Sequence, residues 1–514
     1  METLFLTPNR AHVPHDLPDG FIRLLASLNL TYTPWQRKLA RQRREVLLEA
    51  HQGWLLQHHP LPSSDWKITL PDWCQDQRNQ MTGPADDPKY VVGMLNSGAP
   101  GVMLDVEDSV RNDWGHVLSG HFNAVEALRG RLTFQHETKG VVAIKPSKTV
   151  VWFRVRGLHL QQEGVLDHPV SASLFDTLLH CYLLAQEDMG SLKHPVCFYL
   201  PKSESAEEAT WWASLFQEVA RLLGWRSDYI KCMALVEAHP MPYQMEEFAF
   251  NLRDHLLGFN LGRWDYMASL IHFTLMDPDW VLPDRDTIPH DVPFFQEVRR
   301  LLVDICHRHG LLAIGGMTAL FPSTDPELNA QAMDVLGRDK ANEAEMGMDG
   351  AWTGHPGQNA VAVSRFPNPN QMDFRWNLEG EARTPDLRPL PHGVGRRTLH
   401  GTRQAIRVCI QYAEGLLRGK GAVLIDGRME DQATYRIYML MIAQRERHWR
   451  QVQFLDANLQ SDSHEWSVLH RLFREELERL SSDLPPGQSE QVGRLRSAAD
   501  LAEGMIMHGE FSPV

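Results

Sequence analysis

From about residue 90, short and continuously apolar runs alternate with longer stretches of helical periodicity. Gly101-Val102-Met103-Leu104-Asp105 is the first run and Val150-Val151-Trp152-Phe153-Arg154 the second. Val196-Cys197-Phe198-Tyr199-Leu200, Cys232-Met233-Ala234-Leu235-Val236-Glu237 and Leu311-Leu312-Ala313-Ile314-Gly315-Gly316 follow. Between them, Leu215, Phe216, Val219, Leu222 and Leu223 share a helical face before Gly224. Val298, Leu301, Leu302 and Ile305 do the same before Gly310, a glycine suited to ending a helix. Strands apolar on both faces, separated by helices, indicate a parallel sheet covered by helices. Sustained over roughly 270 residues, the alternation predicts an α/β fold built on a closed (β/α)₈ barrel rather than an open doubly wound sheet.

The flanks have a different texture. Residues 1–88 read as helical and irregular, with a basic amphipathic stretch over 35–50 that predicts a solvated helix face. The barrel is expected over 89–366. Phe366-Pro367-Asn368-Pro369-Asn370 then opens a segment rich in Pro, Gly and Arg, which predicts a linker or ordered loop over 367–397. Residues 398–514 read as helices, beginning with one marked by Ile406, Cys409, Ile410, Ala413, Leu416 and Leu417. A turn is expected at Leu484-Pro485-Pro486-Gly487.

Composition narrows the classes. A hydrophobic content of 43% and a charged content of 23% in 514 residues fit a globular protein with a large core. The formal charge of -14 argues against a nucleic-acid partner, while leaving room for a local basic pocket. No window approaches 18 consecutive apolar residues, so no membrane span is expected. Six scattered cysteines without a CxxC pair, and an N-terminus lacking an apolar signal segment, point to a cytoplasmic protein with reduced thiols. Ser512-Pro513-Val514 is not a peroxisomal address.

Several strand-like runs end in charge. Asp105, Glu107 and Asp108 follow the first run, and Arg154 and Arg156 the second. Lys202 and Glu204 follow the third, Glu237 closes the next, and Asp265 lies in Gly262-Arg263-Trp264-Asp265-Tyr266. In a βα barrel such positions converge on the mouth where active sites form. Taken singly, Lys202, Glu204 and Arg156 read as strand-end caps or surface ion pairs. Glu237 and Asp265 together suit a magnesium ion, which takes one or two carboxylates and completes its octahedron with substrate oxygens and waters. Residues 415–420 miss the phosphate-loop spacing. Cys306, His307 and His309 read as a helix terminus rather than a zinc site. No G-x-S-x-G or G-x-G-x-x-G motif is present, which leaves serine-hydrolase and dinucleotide readings without a starting point.

The same residues carry a family likeness. Arg253-Asp254-His255-Leu256-Leu257-Gly258-Phe259-Asn260-Leu261-Gly262-Arg263-Trp264-Asp265-Tyr266 resembles the malate synthase signature, with Phe259 for Leu as the departure. Met81-Thr82-Gly83-Pro84, Leu95-Asn96-Ser97-Gly98-Ala99 and Asp105-Val106-Glu107-Asp108-Ser109 match in order. So do Arg154-Val155-Arg156-Gly157-Leu158-His159-Leu160, Ser173-Leu174-Phe175-Asp176 and Val281-Leu282-Pro283-Asp284-Arg285. Gly315-Gly316-Met317, Asp349-Gly350-Ala351-Trp352, His355-Pro356-Gly357 and Met429-Glu430-Asp431-Gln432-Ala433-Thr434 complete the series. The likeness covers about residues 80–435 and is similar to the shorter isoform, commonly called A.

The resemblance implies an N-terminal helical clasp, a central TIM barrel and a C-terminal all-helical plug. It also implies condensation of acetyl-CoA with glyoxylate and hydrolysis of the thioester. Asp431 corresponds to the family's base and Arg154 to the arginine facing the enolate oxygen. Glu237 and Asp265 would hold Mg²⁺, with Glu107 and Asp108 orienting its waters. Backbone N–H groups around Arg263 and Trp264 would hold glyoxylate, and Pro356 would pack on the CoA adenine. Two alternatives stand beside this: an acyl-CoA lyase of the citrate-lyase-β class, and a catalytically dead homologue. The chain departs from the family at Val155, at Ala238-His239 and after Tyr266. Beyond Thr434, Tyr435-Arg436-Ile437-Tyr438-Met439 stands where relatives carry Ala-Glu-Ile-Ser-Arg, reversing a charge on the helix expected to bear the base.

Overall fold

In the computed structural model, residues 17–59, 65–388, 395–455, 463–485 and 487–509 are described. The C-terminal Ser512-Pro513-Val514, Pro486 of the expected turn and part of the expected linker lie outside them.

Eight parallel strands close a barrel in simple chain order: β1 Asn79–Pro84, β2 Gly101–Asp105, β3 Val150–Arg154, β4 Cys197–Leu200, β5 Lys231–Val236, β6 Leu256–Leu261, β7 Leu312–Met317 and β8 Gly350–Thr353. β1 pairs with both β2 and β8, the latter through Asn79 opposite Ala351, which closes the ring. Helices fill the crossovers. α1 Phe21–His51 precedes the barrel, and α2 Pro88–Leu95, α3 Trp114–Leu128, α4 Ala172–Leu184, α5 Ala206–Leu222 and α6 Met241–Asn251 follow β1 to β5 in turn. α7 Arg263–Phe273 and α8 Pro293–His309 separate β6 from β7, α9 Pro326–Glu345 follows β7, and α10 Asn359–Arg365 follows β8. Beyond these come α11 Leu399–Leu417, α12 Gln432–His448, α13 Trp466–Ser482 and α14 Ser489–His508.

β2 and β3 match the apolar runs end to end, because each is buried along its whole length. β1 lies ahead of the expected barrel start at residue 89. Its Asn79-Gln80-Met81-Thr82 is too polar to read as a core strand, yet all four are buried. The barrel interior supplies the reason. Gln80 Oε1 accepts from Trp352 Nε1 at 3.0 Å and from the Tyr199 hydroxyl, and Gln77 Oε1 accepts from Trp152 Nε1 at 3.1 Å. The amides therefore satisfy the polar edges of large aromatics that fill the lumen, and buried amides paired in this way carry little penalty. Met103, Met233, Leu235, Leu312 and Ile314 complete that core.

α8 ends where expected. Gly310 has φ +77°, and a Cβ there would strike the carbonyl of Ile68, so the left-handed stop needs glycine.

The chain forms two compact units. One holds all eight strands (residues 1–44, 57–262 and 298–385); the other comprises 45–56, 263–297 and 386–514. In the second, α12 packs along α7 and against α11, and α14 packs on α11.

Candidate active site

The barrel unit gathers one charged cluster at the ends of β2 to β5. Asp105 closes β2 and takes Arg154 Nε and Nη2, from the end of β3, at 2.7 and 2.6 Å. The same carboxylate accepts the backbone N–H groups of Glu107 and Ser109 at 2.8 and 2.9 Å, which fixes the turn that presents Glu107 and Asp108. Arg154 Nη1 lies 3.2 Å from Asp108 and 3.7 Å from Glu107. Lys202, just beyond β4, places its Nζ 2.7 Å from Asp108 and 3.1 Å from Glu107. Its backbone N–H donates to Glu237 Oε1 at 2.7 Å, tying the carboxylate at the end of β5 into the same cluster.

Lys202 achieves this with φ +49°, a left-handed backbone that a lysine adopts at a cost of about 1–3 kcal/mol. The readings of Lys202, Glu204 and Arg156 as strand-end caps or surface ion pairs are corrected in one respect. All three are buried, at 1%, 5% and 2% exposure. Lys202 is part of the cluster, and Arg156 is locked to Asp176 by Nε and Nη2 at 2.9 and 2.7 Å. An isolated sequence cannot distinguish a charge facing water from one facing another charge inside a barrel mouth.

Electrostatics follow from burial. Burial pushes the Glu107 carboxyl well above the usual carboxylate range, and the neighbouring Asp108 charge adds to this, against Lys202 and Arg154. Burial also acts to raise Asp108, but Lys202 and Arg154 outweigh it and hold Asp108 below its ordinary value. Glu107 Oε1 is buried and accepts no hydrogen bond. Asp105, Glu107 and Asp108 thus meet Arg154 and Lys202 in one buried cluster, which Glu237 joins through the Lys202 backbone.

The second unit holds Arg263, Trp264, Asp265 and Asp431. Asp265 lies in the first turn of α7 and is 5% exposed. The Trp264 ring meets the guanidinium groups of Arg263, at 4.2 Å, and Arg285, at 4.3 Å. Arg263 also contacts His290 Nδ1. Arg285 Nη1 donates to both oxygens of Glu430 at 2.9 Å and to the Tyr438 hydroxyl at 3.0 Å. Burial, moderated by Arg285, pushes the Tyr438 hydroxyl up to about 12. Glu430 closes a hairpin, Val423–Ile425 against Arg428–Glu430, whose Asp426-Gly427 turn has φ +49° and +75°. Asp431 follows and caps α12. Its Oδ1 accepts Thr434 N–H at 3.3 Å, while the Thr434 hydroxyl accepts from Asp431 N–H at 3.0 Å. Asp431 is thus the N-cap of α12, closed by a reciprocal pair of contacts with Thr434.

Sequence reasoning passed over the roles of Arg285 and Glu430, although both lie in the quoted motifs. Their pairing across 145 positions leaves no local trace. Pro356 is exposed in the turn after β8 and shares none of the contacts above. Cys306, His307 and His309 close α8 as expected, with His307 Nε2 3.1 Å from Asp349 and His309 Nε2 2.8 Å from Glu246. Among the described residues, no group of three or more His, Cys, Asp and Glu is arranged to hold a metal ion. No helix among them is long and apolar enough to cross a membrane.

The chain matches the malate synthase TIM barrel domain over residues 150–384 and the malate synthase C-terminal domain over 396–513. Malate synthase A of Escherichia coli (strain K12) is 34% identical over 99% of this chain and 96% of its own. This chain belongs to the malate synthase family. Malate synthase of Myxococcus xanthus (strain DK1622) is likewise 34% identical, over 93% of this chain and 88% of its own. A solved Haloferax volcanii malate synthase magnesium/glyoxylate complex aligns with 82% of this chain and 98% of its own, at 15% identity and a TM-score of 0.46. Malate synthases are acyltransferases, and the barrel with a helical C-terminal region is the architecture that the two matched domains describe.

Proposed function

We propose that this protein condenses acetyl-CoA with glyoxylate and hydrolyses the resulting thioester, releasing malate and CoA. Near-full-length identity to malate synthase A carries the reading. The buried charge cluster at the ends of β2 to β5 supports it. Glu237 and Asp265 are the proposed magnesium carboxylates. The fit rests on the buried Glu107 Oε1, which accepts no hydrogen bond, and on Gly262, where a Cβ would lie 2.7 Å from the Glu237 Cβ, so the backbone passes flush against that side chain. Bound there, the metal would supply Lewis acidity toward the glyoxylate aldehyde.

The chain's own groups have these roles. Asp431 takes a methyl proton from acetyl-CoA, and its two contacts with Thr434 hold the carboxylate at the helix start. Arg154, clamped by Asp105 and Asp108, offers fixed positive charge to the enolate oxygen without reorganising. The carbanion equivalent attacks the aldehyde carbon, opening the C=O as the new C–C bond forms, and the resulting alkoxide takes up one proton, balancing the one that Asp431 removed. Glu107 and Asp108 would orient water beside a bound ion. Backbone N–H groups of Arg263 and Trp264 hold the glyoxylate carboxylate, and Pro356 packs on the adenine of CoA. Water then cleaves the thioester to carboxylate and free thiol.

Residues 1–88 are read as a clasp, 89–366 with β1 added as the catalytic barrel, 367–397 as the connecting segment and 398–514 as the helical plug. A cytoplasmic location accompanies the reading.

The test is product identity. Free CoA thiol and malate, both requiring glyoxylate and magnesium, are expected. A retained thioester would favour the lyase alternative, and turnover of neither substrate by folded protein would favour the dead homologue.

A further inference from the structure

α12 carries a buried arginine on the turn after its capping aspartate. Arg436 is 2% exposed, and its Nη1 lies 3.6 Å from Asp265 Oδ1 on α7. Both side chains belong to the second unit, where these two helices pack along each other. His272, two turns beyond Asp265 on the same face of α7, reports the field of this guanidinium. Burial first, and then the Arg436 and His51 charges, lower its pKa to about 3. The Arg436 guanidinium thus faces the Asp265 carboxylate, and its charge is felt at His272.

We propose that Arg436 is a resident counter-cation for Asp265 and sets how tightly this carboxylate binds a divalent cation. The proposal rests on the reading of Asp265 as a magnesium carboxylate. One carboxylate cannot give its full charge to two cations. A guanidinium within about 4 Å also repels any metal that the same oxygens bind, and water is too scarce there to screen it. Arginine suits this task because it stays charged at every accessible pH and keeps a rigid head. Asp265 is thereby neutralised when no metal is bound, and metal binding is weakened by the work of bringing a second cation beside the first. The charge reversal at position 436 therefore acts on metal affinity.

The experiment compares magnesium binding by calorimetry in the intact protein, Arg436→Gln, Asp265→Asn and the double variant, with melting temperatures taken with and without magnesium. Arg436→Gln should bind magnesium about ten- to a hundredfold more tightly. It should also melt lower than the intact protein without metal and gain more on its addition. Arg436→Met, similar in volume and apolar, should behave the same way, and it decides the matter if the glutamine variant does not fold. Equal or weaker binding by a folded neutral variant overturns the proposal. If Asp265→Asn binds magnesium as the intact protein does, the reading of Asp265 as a ligand is wrong, and the proposal falls with it. Tighter binding in Arg436→Gln that disappears in the double variant establishes both.

Discussion

A buried charge is retained in a fold when its partner is fixed, and the Arg285–Glu430 pair is such a case. Arg285 is 5% exposed and Glu430 1% exposed, and both Glu430 oxygens accept from one guanidinium nitrogen. Removing one member leaves a charge stranded in low dielectric, at a cost of about 3–5 kcal/mol. Arg285→Gln should therefore lower the stability of the second unit by about 3 kcal/mol in denaturant titration. It should also lower kcat more than it raises KM, since the pair holds the residue next to Asp431. Unchanged stability would show that the pair contributes no net energy. A different pair governs acid sensitivity. Glu246 accepts from Arg308 Nη1 at 2.7 Å and from His309 Nε2 at 2.8 Å. Burial acts to raise its pKa, but these two donors overcome it and bring the value to about 2. With the folded pKa below the unfolded one, the stabilisation is present above about pH 4.5 and is lost as the pH falls towards 2. Partial exposure limits it to about 1 kcal/mol. Melting curves of the intact protein and Glu246→Gln should differ by about 2 °C near pH 6 and draw together as the pH falls towards 2. A constant gap across that range would rule the titration out.

At the scale of elements, legibility followed hydrophobic continuity. β2 and β3 could be read to the residue because both faces of each are covered and their sequences are unbroken apolar runs. β1 and β8 could not. Asn79, Gln80 and Thr82 look like loop residues until Trp352, Tyr199 and Thr353 are seen to supply their hydrogen bonds. β6 was visible as a motif but not as a strand, since Gly258 and Asn260 interrupt its apolar run. The charged strand ends were legible as a set, whereas the left-handed Lys202 that links Glu237 to Asp108 was not, because no sequence pattern marks a strained lysine. The junction between β6 and α7 makes a prediction of its own. Gly262 leaves no room for a methyl group beside Glu237. Gly262→Ala should keep the barrel's circular dichroism and lose at least about tenfold in magnesium affinity, as expected when a ligand is displaced by a fraction of an ångström. Wild-type affinity in this variant would mean that Glu237 is not a ligand.

At the scale of the whole molecule, a chain of net charge -14 is read as acting on two anionic substrates. Its bulk charge does not attract them, so recognition falls to local cations such as Arg154 and Lys202, each paired with surrounding carboxylates. The family was legible from ordered motifs spanning most of the chain, and the two matched domains agree with it. What the motifs did not carry is the balance of charge around each functional group, because that balance depends on side chains far apart in sequence. Asp431 is the clearest example: locally it is a helix cap, and its proposed chemistry comes from its place in Met429-Glu430-Asp431. The measurement that tests the account most directly is the rate of free CoA thiol release from acetyl-CoA and glyoxylate by the intact protein and by Asp431→Asn, with magnesium affinity measured on both. The account predicts magnesium-dependent release that falls by about 10²- to 10⁴-fold in the variant, while magnesium affinity stays within about twofold. Release by Asp431→Asn at the rate of the intact protein would contradict it.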